Sequence, residues 1–157
     1  MTAQPATALA VPDLTIEQIE TVQVRVPLDR VYRGSHYQMS HRSTIITRVR
    51  TASGIVGEAY AGDEDAGLAE IDGIIHHEIA PVLAGQDAYA TELCWELARP
   101  ATWNILRDKR LGLVATACVD TAIWDAVGRA LGMPLHRMWG GYRDSVPVIT
   151  ILSLIHI

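Results

Sequence analysis

At 157 residues the chain has room for one domain, or for one domain and part of a second, and 49% hydrophobic with 20% charged residues is ordinary globular composition. A net charge of -5 without any basic cluster excludes nucleic acid and an anionic membrane surface as natural partners. Cys94 and Cys118 each lie among apolar helical residues and read as buried free thiols in preference to a disulfide, which suits a reducing cytosol and a cytoplasmic location.

Residues 1–15 begin MTAQPATALAVPDL, lack the basic head and apolar core of a secretory signal, and read as a flexible tail. Over residues 20–26, Val22, Val24 and Val26 alternate with Gln23 and Arg25, the period of two that marks a half-buried strand, and Pro27 is expected to end it. Residues 28–43 then read as one long polar loop, of a length that tends to be functional or disordered. A second strand over 44–51 places Ile45, Thr47 and Val49 on one face, Ala52-Ser53-Gly54 turns the chain, and 55–61 returns as a third strand. The three make an antiparallel meander.

An acidic bend at 62–65 is placed to cap the helix behind it. That helix, over 66–83, carries Leu68, Ile71, Ile75, Ile79 and Val82 at spacings of three and four, with Pro81 and Gly85 as stops. A shorter helix over 88–99 offers Leu93, Trp95 and Leu97 as apolar anchors. After an irregular stretch over 103–108 comes a long helix from Leu111, apolar on nearly every side, with a glycine stop, a Pro134-Leu135 restart and a Trp139-Gly140-Gly141 exit. Such a helix is buried on more than one side. Asp120 and Asp125 in mid-run, with Arg110 and Arg129 close by, argue for a soluble core over a membrane span. Residues 146–151 start a new strand. Strands followed by helices give an α+β fold, a three-stranded meander with a helical bundle.

Few residues look chemical. His76, His77 and Glu78 are adjacent, so their side chains point about 100° apart and do not converge on one metal; a solvated face is the simpler reading. His36 and His41, with Arg33, Arg42, Tyr32 and Tyr37, crowd the long loop. They form either a wet surface loop or a lid whose cations and phenols contact an anionic, hydroxylated substrate. Asp120 and Asp125, five apart, do not share a face as an acid/base pair would and read as capping or tethering groups. No phosphate-binding glycine loop, nucleophile elbow or zinc spacing occurs.

The stretch ATACVDTAIWDAVGR over 115–129, followed by PLHRMWG over 134–140, resembles the signature of the mandelate racemase/muconate lactonizing enzymes of the enolase superfamily. Ala115, Asp120, Ala122, Asp125, Ala126, Gly128, Arg129, Pro134, Leu135 and Gly140 match it in order, and Ile123 and Trp139 are mild departures. TASGIVGEAY over 51–60 looks like the family's T-x-x-G-x-x-G-x-x-Y hairpin, and the likeness spans residues 16–151.

The resemblance implies a bipartite enzyme. Residues 16–131 would be an enolase-like N-terminal capping domain, and residues 132–151 a linker and the first strand of a truncated TIM-type barrel. Mg²⁺ would be bound by the missing C-terminal barrel of the same chain, and none by this fragment. The barrel would also hold the acid/base groups that abstract the proton α to a carboxylate. No catalytic and no metal residue is therefore assigned here. The cap contributes specificity loops, residues 28–43 and 57–65, with Tyr32, His36 and Tyr60 as substrate-binding candidates for a small carboxylic acid. The cationic, hydroxylated first loop suits an acid-sugar dehydratase or a hydroxy-acid racemase better than a lactonizing enzyme. The whole enzyme is expected to be a homo-oligomer, the fragment alone inactive, and the far side of the long helix and its exit to meet the barrel.

The final residues 152–157, LSLIHI, resemble the translation of a common transposon-end sequencing adapter and read as a non-native tail. The alternative is a free-standing, non-catalytic α+β binding or interaction module. A module of that kind has little reason to end on an unpaired apolar strand.

Overall fold

The computed structural model describes residues 11–36, 38–61 and 67–148. Three strands, β1 (Ile16–Arg33), β2 (Gln38–Thr51) and β3 (Val56–Tyr60), form an antiparallel sheet in the order β1-β2-β3. Ile45, Thr47, Val49 and Thr51 point into the core from β2, as their alternation requires. Thr51 and Gly54 close the turn to β3, with Gly54 at φ +80°.

The core begins before the expected strand. Leu14 is buried, Thr15 bridges Asp87, and Ile16 bonds to Gln86 and Gly85, so residues 14 and 15 belong to the core and not to a tail. Pro27 does not end β1. The strand is at the edge of the sheet, where a missing N–H faces solvent at no cost, and Pro27 pairs with His41. The long polar loop expected over 28–43 is therefore mostly the two arms of an extended hairpin. Between Pro27 and Tyr32, the four residues 28–31 face Ser40 alone, a bulge that bends the outer end. On β1 the core takes Ile16 and Ile19, whereas Val22 and Val26 pair with Ile46 and Arg42 on the opposite face of the sheet and stay exposed.

A helical rod follows: α1 (Leu68–Ile74), a π-helical turn (Ile75–Ile79) and α2 (Ala80–Leu83). Pro81 was expected as a stop, yet it lies inside the rod. Its ring would crowd the carbonyl four residues back in a regular helix; the wider turn, in which Ala80 N–H bonds to Ile75 O, makes room. In α3 (Thr91–Ala98) the buried residues are Cys94 and Ala98, while Leu93 and Trp95 are exposed. Small side chains let α3 approach its neighbour closely, which displaces the bulky anchors outward. A 3₁₀ turn (Arg99–Thr102) leads to α4 (Lys109–Leu131), and α5 (Leu135–Met138) follows the left-handed cap at Gly132.

The long helix α4 is the spine. Asp108 caps its start by accepting the Arg110 N–H at 2.9 Å. Its buried face, Leu111, Ala115, Cys118, Val119, Ala122 and Ile123, packs on β2, β3 and α1, and the flank at Gly112 and Thr116 meets α3 and the 3₁₀ turn. By length and composition α4 could cross a membrane, yet most of its most apolar stretch is buried inside the fold. A fully buried isoleucine such as Ile123 contributes about 1.5–3 kcal/mol. α4 is packed on one face and one flank, and its outward stripe, including Leu113 at 47% exposure, is uncovered among the described residues. Val146 and Val148 are exposed and belong to no strand, because no neighbouring strand among the described residues offers them a ladder. The rest of that expected barrel strand, the acidic bend at 62–65, Tyr37 and the tail 152–157 lie outside the described residues.

Candidate functional site

At the end of β3 the backbone is tied down on both sides. Ala61 N–H bonds to Ile45 O at 3.0 Å, and the Thr44 hydroxyl donates to Ala61 O. Behind the strand, Gly57 touches α4 directly: a Cβ there would lie 2.0 Å from Ala122 O. The Glu58 N–H donates to Asp125 Oδ2 at 2.8 Å, and Arg129 Nε donates to the same oxygen at 2.7 Å. Asp125 is thus the tether that its position in the sequence suggested, locking β3 onto the spine.

This anchorage holds Tyr60 outward, 79% exposed, between two open grooves. One, of roughly 400 Å³, is lined by Val24, Val26, Arg42, Ser43, Thr44 and Tyr60. The other, of roughly 220 Å³, runs from Tyr60 to Val114, Ala117 and Thr121 on α4, with Cys118 at its floor. Burial pushes the Cys118 thiol up, so it stays protonated and unreactive. The first groove combines an apolar wall with hydroxyls, a phenol and a guanidinium, groups that bind a small polar anion and orient it. Neither groove holds a nucleophile beside a base. The arrangement of the described residues can bind a ligand and exclude water.

The structure separates the three candidate residues. Tyr60 pairs with Ile46, whereas Tyr32 pairs with Met39, seven residues further along β2. That is about 23 Å at roughly 3.3 Å per residue. Tyr32 is half-buried under the Arg30 guanidinium, 5.0 Å from its ring centre, and His36 is exposed in the bend at the hairpin tip. The groove residues Val24, Ser43 and Thr44 were not singled out from sequence; strand register alone brings them to Tyr60.

The other polar clusters are structural or unpaired. His76 Nε2 lies 2.7 Å from the Thr21 hydroxyl, which also donates to Asp72, so the helical rod is clasped to β1. Glu78 holds Arg107 through two bonds of 2.5 and 3.2 Å. Asp120 has no such tether: burial, helped by the nearby Glu92, raises its pKa. Among the described residues no three His, Cys, Asp or Glu side chains converge as metal ligands, so these residues do not fit a Mg²⁺ site.

A family model described as the mandelate racemase/muconate lactonizing enzyme N-terminal domain matches residues 16–140. Muconate cycloisomerase 1-2 of Acinetobacter lwoffii is 34% identical over 146 residues, covering 88% of this chain and 36% of the relative. A crystal structure of a mandelate racemase/muconate lactonizing enzyme superposes with a TM-score of 0.82 at 60% identity, covering 85% of this chain and 36% of that one. A second, from a marine actinobacterium in complex with magnesium, gives a TM-score of 0.76 at 54% identity over 85% and 34%. Other relatives bear the names of epimerases, racemases and dehydratases. The chain thus spans about a third of the length of the proteins it matches.

Proposed function

The chain belongs to the mandelate racemase/muconate lactonizing enzyme family, and from that premise we propose that it is the capping part of an enzyme that abstracts the proton α to a carboxylate. The observation that carries the reading is the rigidly mounted Tyr60 between two open grooves, in a domain whose described residues offer binding groups and no nucleophile beside a base. In this reading the chain covers a barrel that supplies Mg²⁺ and the acid/base residues, in the cytoplasm, and is inactive without it. No step runs through a metal held by the described residues.

The substrate is a small carboxylic acid. The guanidinium, hydroxyls and phenol around the larger groove favour a hydroxylated acid, which makes the reaction an acid-sugar dehydration or a hydroxy-acid racemization. Tyr60 is the residue we place on the substrate; Tyr32 and His36 reach it only if the outer hairpin folds over the groove. The test is α-proton exchange in D₂O, followed by NMR, with the protein comprising this chain and its barrel. Exchange with hydroxy acids that chelation abolishes is the expected result. Exchange confined to apolar aromatic acids would overturn the substrate assignment, and no exchange with any acid would overturn the reaction class.

A further inference from the structure

His76 and His77 are adjacent and diverge, but His76 has another neighbour on its own face of the rod. Asp72 lies four residues earlier, the spacing that stacks two side chains one turn apart, while His77 turns towards Gly73. Asp72 belongs to the end of α1 and His76 to the π-helical turn that follows, and such turns recur at functional sites. Thr21 reaches the pair from β1. Its ladder partner is the buried Thr47, so its hydroxyl is on the sheet face that meets the rod.

The three side chains meet at one point. His76 Nε2 is 2.7 Å from Thr21 Oγ1 and 3.5 Å from Asp72 Oδ1, and the Thr21 hydroxyl donates to that same carboxylate oxygen. We propose that Asp72, His76 and Thr21 form a binding site for a late first-row divalent cation such as Zn²⁺. Donors about 2.1 Å from a common ion lie roughly 3.0–3.4 Å from one another, in octahedral and tetrahedral shells respectively. The two separations from the imidazole bracket that spacing, and rotation of the Thr21 and Asp72 side chains completes the fit. An imidazole nitrogen beside a carboxylate suits zinc, nickel or copper, whereas Mg²⁺ prefers an all-oxygen shell.

The electrostatics of the cluster point the same way. A ring-nitrogen lone pair beside a carboxylate oxygen repels it, so a positive centre has to sit between them. In the chain alone that centre is the Nε2 proton. A bound cation takes its place, and the imidazole then keeps its proton on Nδ1 or releases it to solvent. The Asp72 and His76 side chains are 29% and 39% exposed, so the ion enters from solvent and keeps water on its open side. Thr21 is separated from Asp72 by 51 residues and from His76 by 55, so the ion staples β1 to the rod and favours the folded chain.

Calorimetric titration of the chain with ZnCl₂ in chelator-free buffer, with NMR of the histidine rings, tests this. The expected result is saturable one-to-one binding that shifts the His76 ring and leaves that of His77 in place. Free Zn²⁺ at about 100 times Kd should raise the melting temperature by about 5–11 °C, and MgCl₂ at the same concentration should not. His76→Ala and Asp72→Asn should each raise Kd about 10-fold or more, and His77→Ala should leave it unchanged. Thr21→Val should weaken binding, and Thr21→Ser, which keeps the hydroxyl, should stay within about 3-fold of the parent. Far-UV circular dichroism reports the fold of each variant, and the ring shifts of the parent need no variant. No saturable binding, shifts at histidines other than His76, equal stabilisation by Mg²⁺, or equal weakening by His77→Ala and His76→Ala overturns the inference.

Discussion

Replacing Gly57 by alanine tests how β3 is mounted on α4. The added Cβ would lie 2.0 Å from Ala122 O, 2.6 Å from Ala126 N and 2.8 Å from Ala126 Cβ. Ordinary non-bonded contact is about 3.5 Å, so strand and helix must part by on the order of 1 Å, and the obstacle is helix backbone that no rotamer relieves. Overpacking of this kind costs about 1–3 kcal/mol. The same displacement stretches the 2.8 Å bond from Glu58 N–H to Asp125, a charge-assisted bond that contributes about 1.5–3 kcal/mol. The total is roughly 2.5–6 kcal/mol, or about 5–24 °C in melting temperature for a chain of this size. Thermal unfolding followed by near-UV tryptophan dichroism, at one fixed concentration, measures it. A fall of less than about 3 °C would show that strand and helix are not in backbone contact, and the mounting of Tyr60 argued from that contact would go with it.

Two other outcomes follow from the same framework. Asp125→Ala should cost about 1.5–3 kcal/mol in urea unfolding, since the Glu58 N–H and Arg129 lose their acceptor, and Asp125→Asn should cost less because its amide oxygen still accepts; equal losses would contradict the tether. Glu20 carries a lowered pKa because Arg50 Nε bonds its carboxylate at 2.9 Å, so its stabilising contribution is present above the usual glutamate value of 4.5 and is lost as pH falls through the depressed one. The difference in melting temperature between parent and Glu20→Gln should therefore persist at neutral pH and close in acid; a difference that widens in acid would reverse the assigned sign.

Much of the fold was legible because period and punctuation agree. The alternation of Ile45, Thr47 and Val49, the glycine turn at Gly54 and the apolar run of α4 each fixed an element and its buried face. The failures are equally specific. Pro27 and Pro81 read as breaks in the sequence, but an edge strand tolerates the first and a π-helical turn accommodates the second, and neither context is visible in local sequence. Leu93 and Trp95 look like anchors by hydrophobicity, yet the close approach of α3 depends on Cys94 and Ala98. At the proposed site, the motif marks Tyr60, whereas Val24, Ser43 and Thr44 lie beside it through β-ladder register, which sequence spacing does not encode. Tyr32 and His36 were grouped with Tyr60 by composition, and the length of the hairpin separates them.

The central claim is that this chain shapes a binding wall and performs none of the chemistry, with Tyr60 at the wall's edge. Steady-state kinetics of Tyr60→Ala in the protein comprising cap and barrel test it most directly. The account predicts KM raised about 10-fold with kcat within about 3-fold of the parent, the signature of lost binding that is equal in ground and transition states. An unchanged KM would remove Tyr60 from the site, and a loss confined to kcat would place this chain in the chemistry after all.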